Sequence, residues 1–201
     1  MALDYTLYKQ NIPFNYSLGV NDTDGIPVLK LHGSVNWALC SKCNKIIPWF
    51  VSDYLQKFPF EEVNKDYLRK PLEIGSRLTS FSHCGTPITK EPVIVPPTWN
   101  KTEYSKDLKS VWRRAAEVLN DAENIFVIGY SLPDSDLFFK YLFALGTLGK
   151  TIIRRFCVID TDKSVADKFR ELLGPGAKQG FRFVEGTFSE QIEQARRMLG
   201  G

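Results

Sequence analysis

Two histidines and four cysteines carry most of the recognisable chemistry in this chain. Residues 29–34 read Leu-Lys-Leu-His-Gly-Ser, so an apolar run over residues 28–31 delivers His32 onto Gly33. A strand-end histidine beside glycine suits a general base, because a rigid strand fixes the ring and glycine leaves room for substrate. A buried, hydrogen-bonded structural histidine satisfies the same pattern. Cys40-Ser41-Lys42-Cys43 follows within a dozen residues, and His83-Cys84 comes later. Two thiolates on a knuckle and a second short pair supply four candidate zinc ligands: Cys40, Cys43, His83 and Cys84. The second pair is not a clean Cys-X-X-Cys, since Phe81 stands where its first cysteine would be. His83 is therefore either the fourth ligand or a polar loop residue. The plainer alternative is two reduced cysteines in a turn and an unrelated third. Cys157, inside an apolar run, reads as core.

The elements that must position these residues fall into two textures. From about Val111 onward, helix and strand alternate. Residues 105–121 place Leu108, Val111, Trp112, Ala115, Val118 and Leu119 at helical spacing. Residues 125–128 are fully apolar and end at Gly129, which predicts a central parallel strand. A helix is expected over residues 132–146, capped by Asp134 or Ser135, with Asp136 in its first turn. Then come a strand at 156–159 ending at Asp160, a helix at 163–173 stopped by Gly174-Pro175-Gly176, a strand at 181–184 and a helix at 189–199. This alternation predicts an α/β fold, a Rossmann-like doubly wound parallel sheet. Ligands of such sheets lie at the carboxyl ends of the strands, which singles out Gly129, Tyr130, Ser131, Asp160, Gly186 and Thr187. Residues 37–99 carry the cysteine knuckle, a Lys/Glu-rich middle and a proline-rich close at 92–97. They read as a zinc-ribbon-like insertion between residues 1–36 and 100–201.

Composition narrows the function classes. The chain has 201 residues, 43% of them hydrophobic and 24% charged, enough to bury a real core. Its 26 basic and 23 acidic residues are intermixed and give a net charge of +3, which argues against nucleic acid and against an anionic membrane surface. Arg113-Arg114, Arg154-Arg155 and Arg196-Arg197 read as solvated faces or helix C-terminal charges. The tryptophans read as core or ribbon packing rather than base-stacking platforms. No apolar run approaches bilayer length, and the N-terminus lacks a signal peptide's apolar stretch. Clustered cysteines without a disulfide pattern suit a reducing cytosol, so the expected location is cytoplasmic.

In the order Leu31-His32-Gly33, Cys40/Cys43/Cys84-Gly85, Ile128-Gly129-Tyr130-Ser131-Leu132, Ile159-Asp160 and Gly186-Thr187-Phe188, the chain resembles the sirtuin family. The likeness is strongest to the family's divergent prokaryotic branch and runs from about residue 28 to about residue 188. It implies that His32 is catalytic. Gly129, Tyr130 and Ser131 would form the loop that cradles NAD, with Tyr130 in place of the family's threonine. Asp160 would accept the adenosine ribose hydroxyls, and Thr187 would lie near the adenine. Zinc would fold the ribbon and take no part in the chemistry.

The resemblance also implies segments not found before residue 28: a glycine-rich pyrophosphate loop and an Asn-Asp segment lining the nicotinamide pocket. Residues 1–8 resemble the helix that follows that segment. The expectation is a partial domain whose first half lies in a longer product or another chain, with an exposed apolar sheet edge and weak NAD affinity. A homo-oligomer stays open. Pro96 and Pro97 occupy the place where family deacylases add a substrate peptide as a strand, and neither has an N–H to offer it. That favours water as acceptor, making the implied activity NAD hydrolysis at the nicotinamide–ribose bond, which the prokaryotic branch often uses in antiphage defence. The alternatives are an NAD-dependent protein deacylase and a catalytically inactive NAD- or ADP-ribose-binding module.

Overall fold

The computed structural model describes residues 2–19, 24–49, 53, 56, 81–89, 91–95, 105–146 and 152–199. The chain divides into two compact units, Met1–Trp112 and Arg113–Gly201. No helix among the described residues is long and apolar enough to cross a membrane.

The first unit contains helix α1 (Ala2–Lys9), close to the residues 1–8 for which the resemblance implies a helix. Asn11 ends it in the left-handed region at φ 54°, a conformation its short amide side chain tolerates. Strand β1 (Phe14–Asn15) pairs in parallel with β2 (Ile26–Pro27). The expected strand over residues 28–31 is not formed. Val28 N–H still donates to Asn15 O at 2.8 Å, but residues 28–30 are irregular and Leu31-His32 make a turn. That turn feeds β3 (Gly33–Ser34), which runs antiparallel to β8 (Val93–Ile94). Between them lie two small hairpins, β4 (Trp37–Leu39) with β5 (Ile46–Pro48), and β6 (Ser82–His83) with β7 (Thr86–Pro87). Tyr16, Val28, Trp37, Val93, Leu108 and Val111 form the core of this unit. Trp37 is fully buried and meets Tyr16 edge-to-face at 5.5 Å, and Trp49 is buried against Phe81.

Helix α2 (Ser105–Asp121) has the predicted bounds. In the second unit, β9 (Asn124–Ile128), β10 (Arg155–Asp160) and β11 (Phe181–Glu185) form a parallel sheet in the order β11-β10-β9. The strand over residues 156–159, rather than 125–128, is central among the described strands. Burial agrees, since Phe156, Cys157, Val158 and Ile159 are at most 2% exposed whereas Ile128 is 44% exposed. Strand alternation then sends the side chains of β10 two ways. Phe156 and Val158 join Phe143 of α3 (Leu137–Gly146) and Val165 and Phe169 of α4 (Ser164–Leu172). Cys157 and Ile159 join Val184 and Ala195, the latter on α6 (Phe188–Leu199). A parallel sheet buried on both faces by helices is the α/β layering the alternation predicts.

Two local expectations are corrected. Residues 132–136 stay outside α3, because Leu132 sits at φ 49° and Asp136, not Asp134 or Ser135, accepts the Phe139 N–H at 3.2 Å. Gly174-Pro175-Gly176 does not simply stop α4: Pro175 opens a one-turn helix, α5 (Pro175–Lys178), where its missing N–H costs nothing.

Candidate functional site

The four predicted metal ligands come together. One donor atom from each of Cys40, Cys43, His83 and Cys84 lies within 4.8 Å of the others. Each pair rides on a tight turn. In the first, Asn44 N–H donates to Cys40 O at 2.8 Å and Cys40 N–H to Lys45 O at 3.0 Å, with Asn44 at φ 53°. In the second, Cys84 and Gly85 at φ 53° and 73° form the two-residue loop joining β6 to β7. A Cys40–Ile88 bridge and the Thr89 N–H to Leu39 O bond at 3.0 Å stitch the turns together.

The donor chemistry fits zinc. His83 Nδ1 lies 3.5 Å from Cys43 Sγ and 3.2 Å from Cys84 Sγ. The S···N edge of a tetrahedron with ordinary zinc bond lengths is about 3.6 Å. The hydrogen bond from His83, and then the backbone N–H of Cys43, hold the Cys40 thiol down at about 6. Burial and the neighbouring Cys43 push the Cys84 thiol up. Phe81, at the place of a Cys-X-X-Cys first cysteine, packs on Trp49 in a small cluster with Ala38 and Ile88, and His83 offers a candidate ligand atom instead. Cys157 is 2% exposed and its thiol is raised by burial, consistent with a core role.

The strand-end residues also share one edge. Parallel register sets Ile128 beside Ile159 and Asp160 beside Glu185. Gly129 N–H donates to Ile159 O at 3.1 Å and Gly186 N–H to Asp160 O at 3.0 Å, carrying the ladder one step past the strands. Gly129 has φ 61°, a conformation glycine adopts freely, and among the described residues nothing lies within 4 Å of where a Cβ would stand. Ser131 is exposed beside it.

Tyr130 turns inward. Its ring meets Phe139 edge-to-face at 4.9 Å and its hydroxyl donates to Asp136 at 2.7 Å. Burial, and then Asp136, raise its phenol, which stays protonated. Asp160 Oδ1 accepts the Asp162 N–H at 2.9 Å. Thr187 forms a capping box with Glu190 at the start of α6: its N–H and hydroxyl both reach Glu190 Oε2, at 2.8 and 2.9 Å.

His32 is half-buried in the turn before β3. Its carbonyl accepts the Val95 N–H at 2.8 Å and its ring lies 6.1 Å edge-to-face from Trp112, whose indole donates to Leu31 O at 2.9 Å. The reason for Gly33 differs from the sequence reading. A Cβ there would stand 2.0 Å from Val93 O, so the glycine admits the β8 backbone rather than a substrate.

Beside this turn lies a buried polar network that the sequence reading did not find. Lys30 Nζ pairs with Asp4 Oδ2 and donates to Ser34 Oγ at 2.9 Å and Asn36 Oδ1 at 3.0 Å. Tyr16 donates to Asp4 Oδ2 at 2.7 Å, and the fully buried Asn36 donates to the Tyr16 hydroxyl at 2.9 Å. Burial raises the Asp4 carboxyl, but the Lys30 and Tyr16 hydrogen bonds outweigh it and hold it below its usual value. The available signal was a lysine interrupting an apolar run, followed by Ser34-X-Asn36.

The described parts thus define a three-layer α/β unit with glycine turns at its strand ends, and a first unit carrying a Cys3His cluster suited to zinc. Among solved structures, the chain is similar to Sir2Tm bound to a propionylated peptide (TM-score 0.42, 16% identity, 97% of this chain and 68% of that one). It is also similar to a structure concerned with the structural basis of sirtuin substrate affinity (TM-score 0.37, 17% identity, 97% of this chain and 67% of that one). No protein-family model matches the chain, and no curated protein sequence matches it.

Proposed function

We propose that this chain is a sirtuin-like NAD-binding protein that cleaves the nicotinamide–ribose bond, with water as the acceptor. The observation that carries the reading is the alignment of Gly129, Asp160, Gly186 and Thr187 along the carboxyl edge of one parallel sheet, where dinucleotides bind in such folds. In this reading residues 1–36 and 100–201 make the NAD-binding domain and residues 37–99 the metal-holding insertion. The Gly129 backbone and Ser131 hydroxyl hold phosphate or ribose, and Asp160 accepts a ribose hydroxyl. Thr187 lies toward the adenine. Tyr130 supports the loop from beneath through Asp136.

The reaction consumes NAD and water and yields nicotinamide, ADP-ribose and a proton. The bond breaks through an oxocarbenium-like state, and His32 takes a proton from a ribose hydroxyl or from the attacking water. Cys40, Cys43, His83 and Cys84 would hold zinc, which would serve to fold the ribbon and take no part in the reaction. Water is preferred to a peptide because Pro96 and Pro97 cannot donate to an added strand. Those two prolines lie outside the described residues, whereas Val93–Ile94 just before them is already paired with Gly33–Ser34.

The test is nicotinamide release from NAD by the zinc-loaded chain, with His32→Ala in parallel and an acetyl-lysine peptide added in a third arm. Release that is lost in His32→Ala and unaffected by peptide supports the proposal. Release that depends on peptide would make the chain a deacylase. Stabilisation by ADP-ribose without any release would make it a binding module.

A further inference from the structure

The second unit holds a cleft of about 410 Å³ at the opposite end of the sheet from the strand-end site. Arg155 is the first residue of β10, and Gly180, which also lines the cleft, immediately precedes β11. The register places Phe126, Cys157 and Arg182 in one row across the three strands, and Arg155, two residues before Cys157, points to the same face. Gln194, Arg197 and Met198 of α6 close the other side.

Three arginines therefore line one cleft, with Phe126 and Met198 beside them. Among the described residues, none of the three is paired with a carboxylate, while the neighbouring Arg154 holds Glu123. The last turn of α6 explains a cation at Arg197, because helix carbonyls favour positive charge there. It does not explain Arg155 and Arg182, which lie diagonally across adjacent strands, where like charges repel. The cleft is also within the size range of small-molecule sites, about 300–1,000 Å³.

We propose that this cleft binds an organic phosphate: a phosphomonoester whose anion sits among Arg155, Arg182 and Arg197 and whose flat apolar part lies on Phe126 and Met198. Guanidinium forks match phosphate oxygens in pairs and stay charged at any working pH. Three such donors around one anion relieve their mutual repulsion on binding, and the Gln194 amide offers a further hydrogen bond. This site is independent of the NAD reading, since it uses different residues at the other end of the strands.

The experiment is isothermal titration of the full chain with phenyl phosphate, which lacks any nucleoside, at fixed ionic strength. Inorganic phosphate, phenol and a single-stranded oligonucleotide are titrated alongside. Saturable binding of phenyl phosphate, tighter than inorganic phosphate or phenol, is expected. Arg155→Gln and Arg182→Gln should each weaken it by about tenfold. Arg196→Gln, outside the cleft, should leave it unchanged. Arg155→Lys keeps the charge and the fold but loses the fork, and should also weaken binding. Absence of saturation, or equal binding by wild type and these variants, would overturn the proposal. So would arginine-dependent binding of the oligonucleotide without phenyl phosphate binding, which would make the face a nucleic-acid surface.

Discussion

Asp136→Ala tests whether the loop after β9 is held from beneath. Asp136 is 4% exposed and its carboxylate accepts from the Tyr130 hydroxyl at 2.7 Å and the Phe139 N–H at 3.2 Å. Removing a helix cap costs about 1 kcal/mol. Leaving the Tyr130 hydroxyl unpaired in a half-buried place costs about 1–3 kcal/mol more. The expected loss is therefore about 2–4 kcal/mol, a large share of the roughly 5–15 kcal/mol that holds a domain. Urea unfolding followed by circular dichroism measures it. Tyr130→Phe supplies the control, since it keeps the cap and deletes the hydroxyl. In the double variant no orphaned hydroxyl remains, so its loss should fall short of the sum of the single losses by about 1–2 kcal/mol. A single-variant loss under about 0.5 kcal/mol, or strict additivity in the cycle, would refute the argument that one carboxylate both caps α3 and anchors the loop.

Lys30→Met removes the Lys30 ammonium from buried Asp4, Ser34 and Asn36 and should cost about 3 kcal/mol in unfolding experiments. The Asp4 carboxyl, now held below its usual value, should titrate upward in NMR. Because its folded-state value is depressed, the stability it contributes is present above the ordinary carboxylate range and is lost as pH falls through the folded-state value. Gly33→Ala combines a strained φ of 79° with a Cβ 2.0 Å from Val93 O. It should lower stability by about 3 kcal/mol and release the protection of the β3–β8 amides in hydrogen exchange. Cobalt titration of the metal-free protein should give the visible bands of a tetrahedral thiolate site at one equivalent. Cys43→Ser should weaken those bands, and His83→Ala should shift them, marking the imidazole as a ligand.

The alternation of apolar runs and amphipathic segments from about Val111 onward, and the helix that leads into it, was legible because both periods are written in neighbouring residues. Helix α2, the three strands and α6 follow from it almost to the residue. The four metal-ligand candidates were legible for the same reason, since each pair sits within a few residues on one turn. What needed tertiary structure was every choice made across distance. Whether residues 125–128 or 156–159 lie at the centre of the sheet depends on which strand finds two neighbours. Gly33 is required by a carbonyl 60 positions away in sequence, at Val93. Asp136 rather than Asp134 caps α3 because Tyr130 folds back onto it. Lys30 is buried because Asp4, Ser34 and Asn36 converge around it. Local propensity sets period and turn, but a buried polar group is chosen by its partners, and those are assembled only when the chain packs.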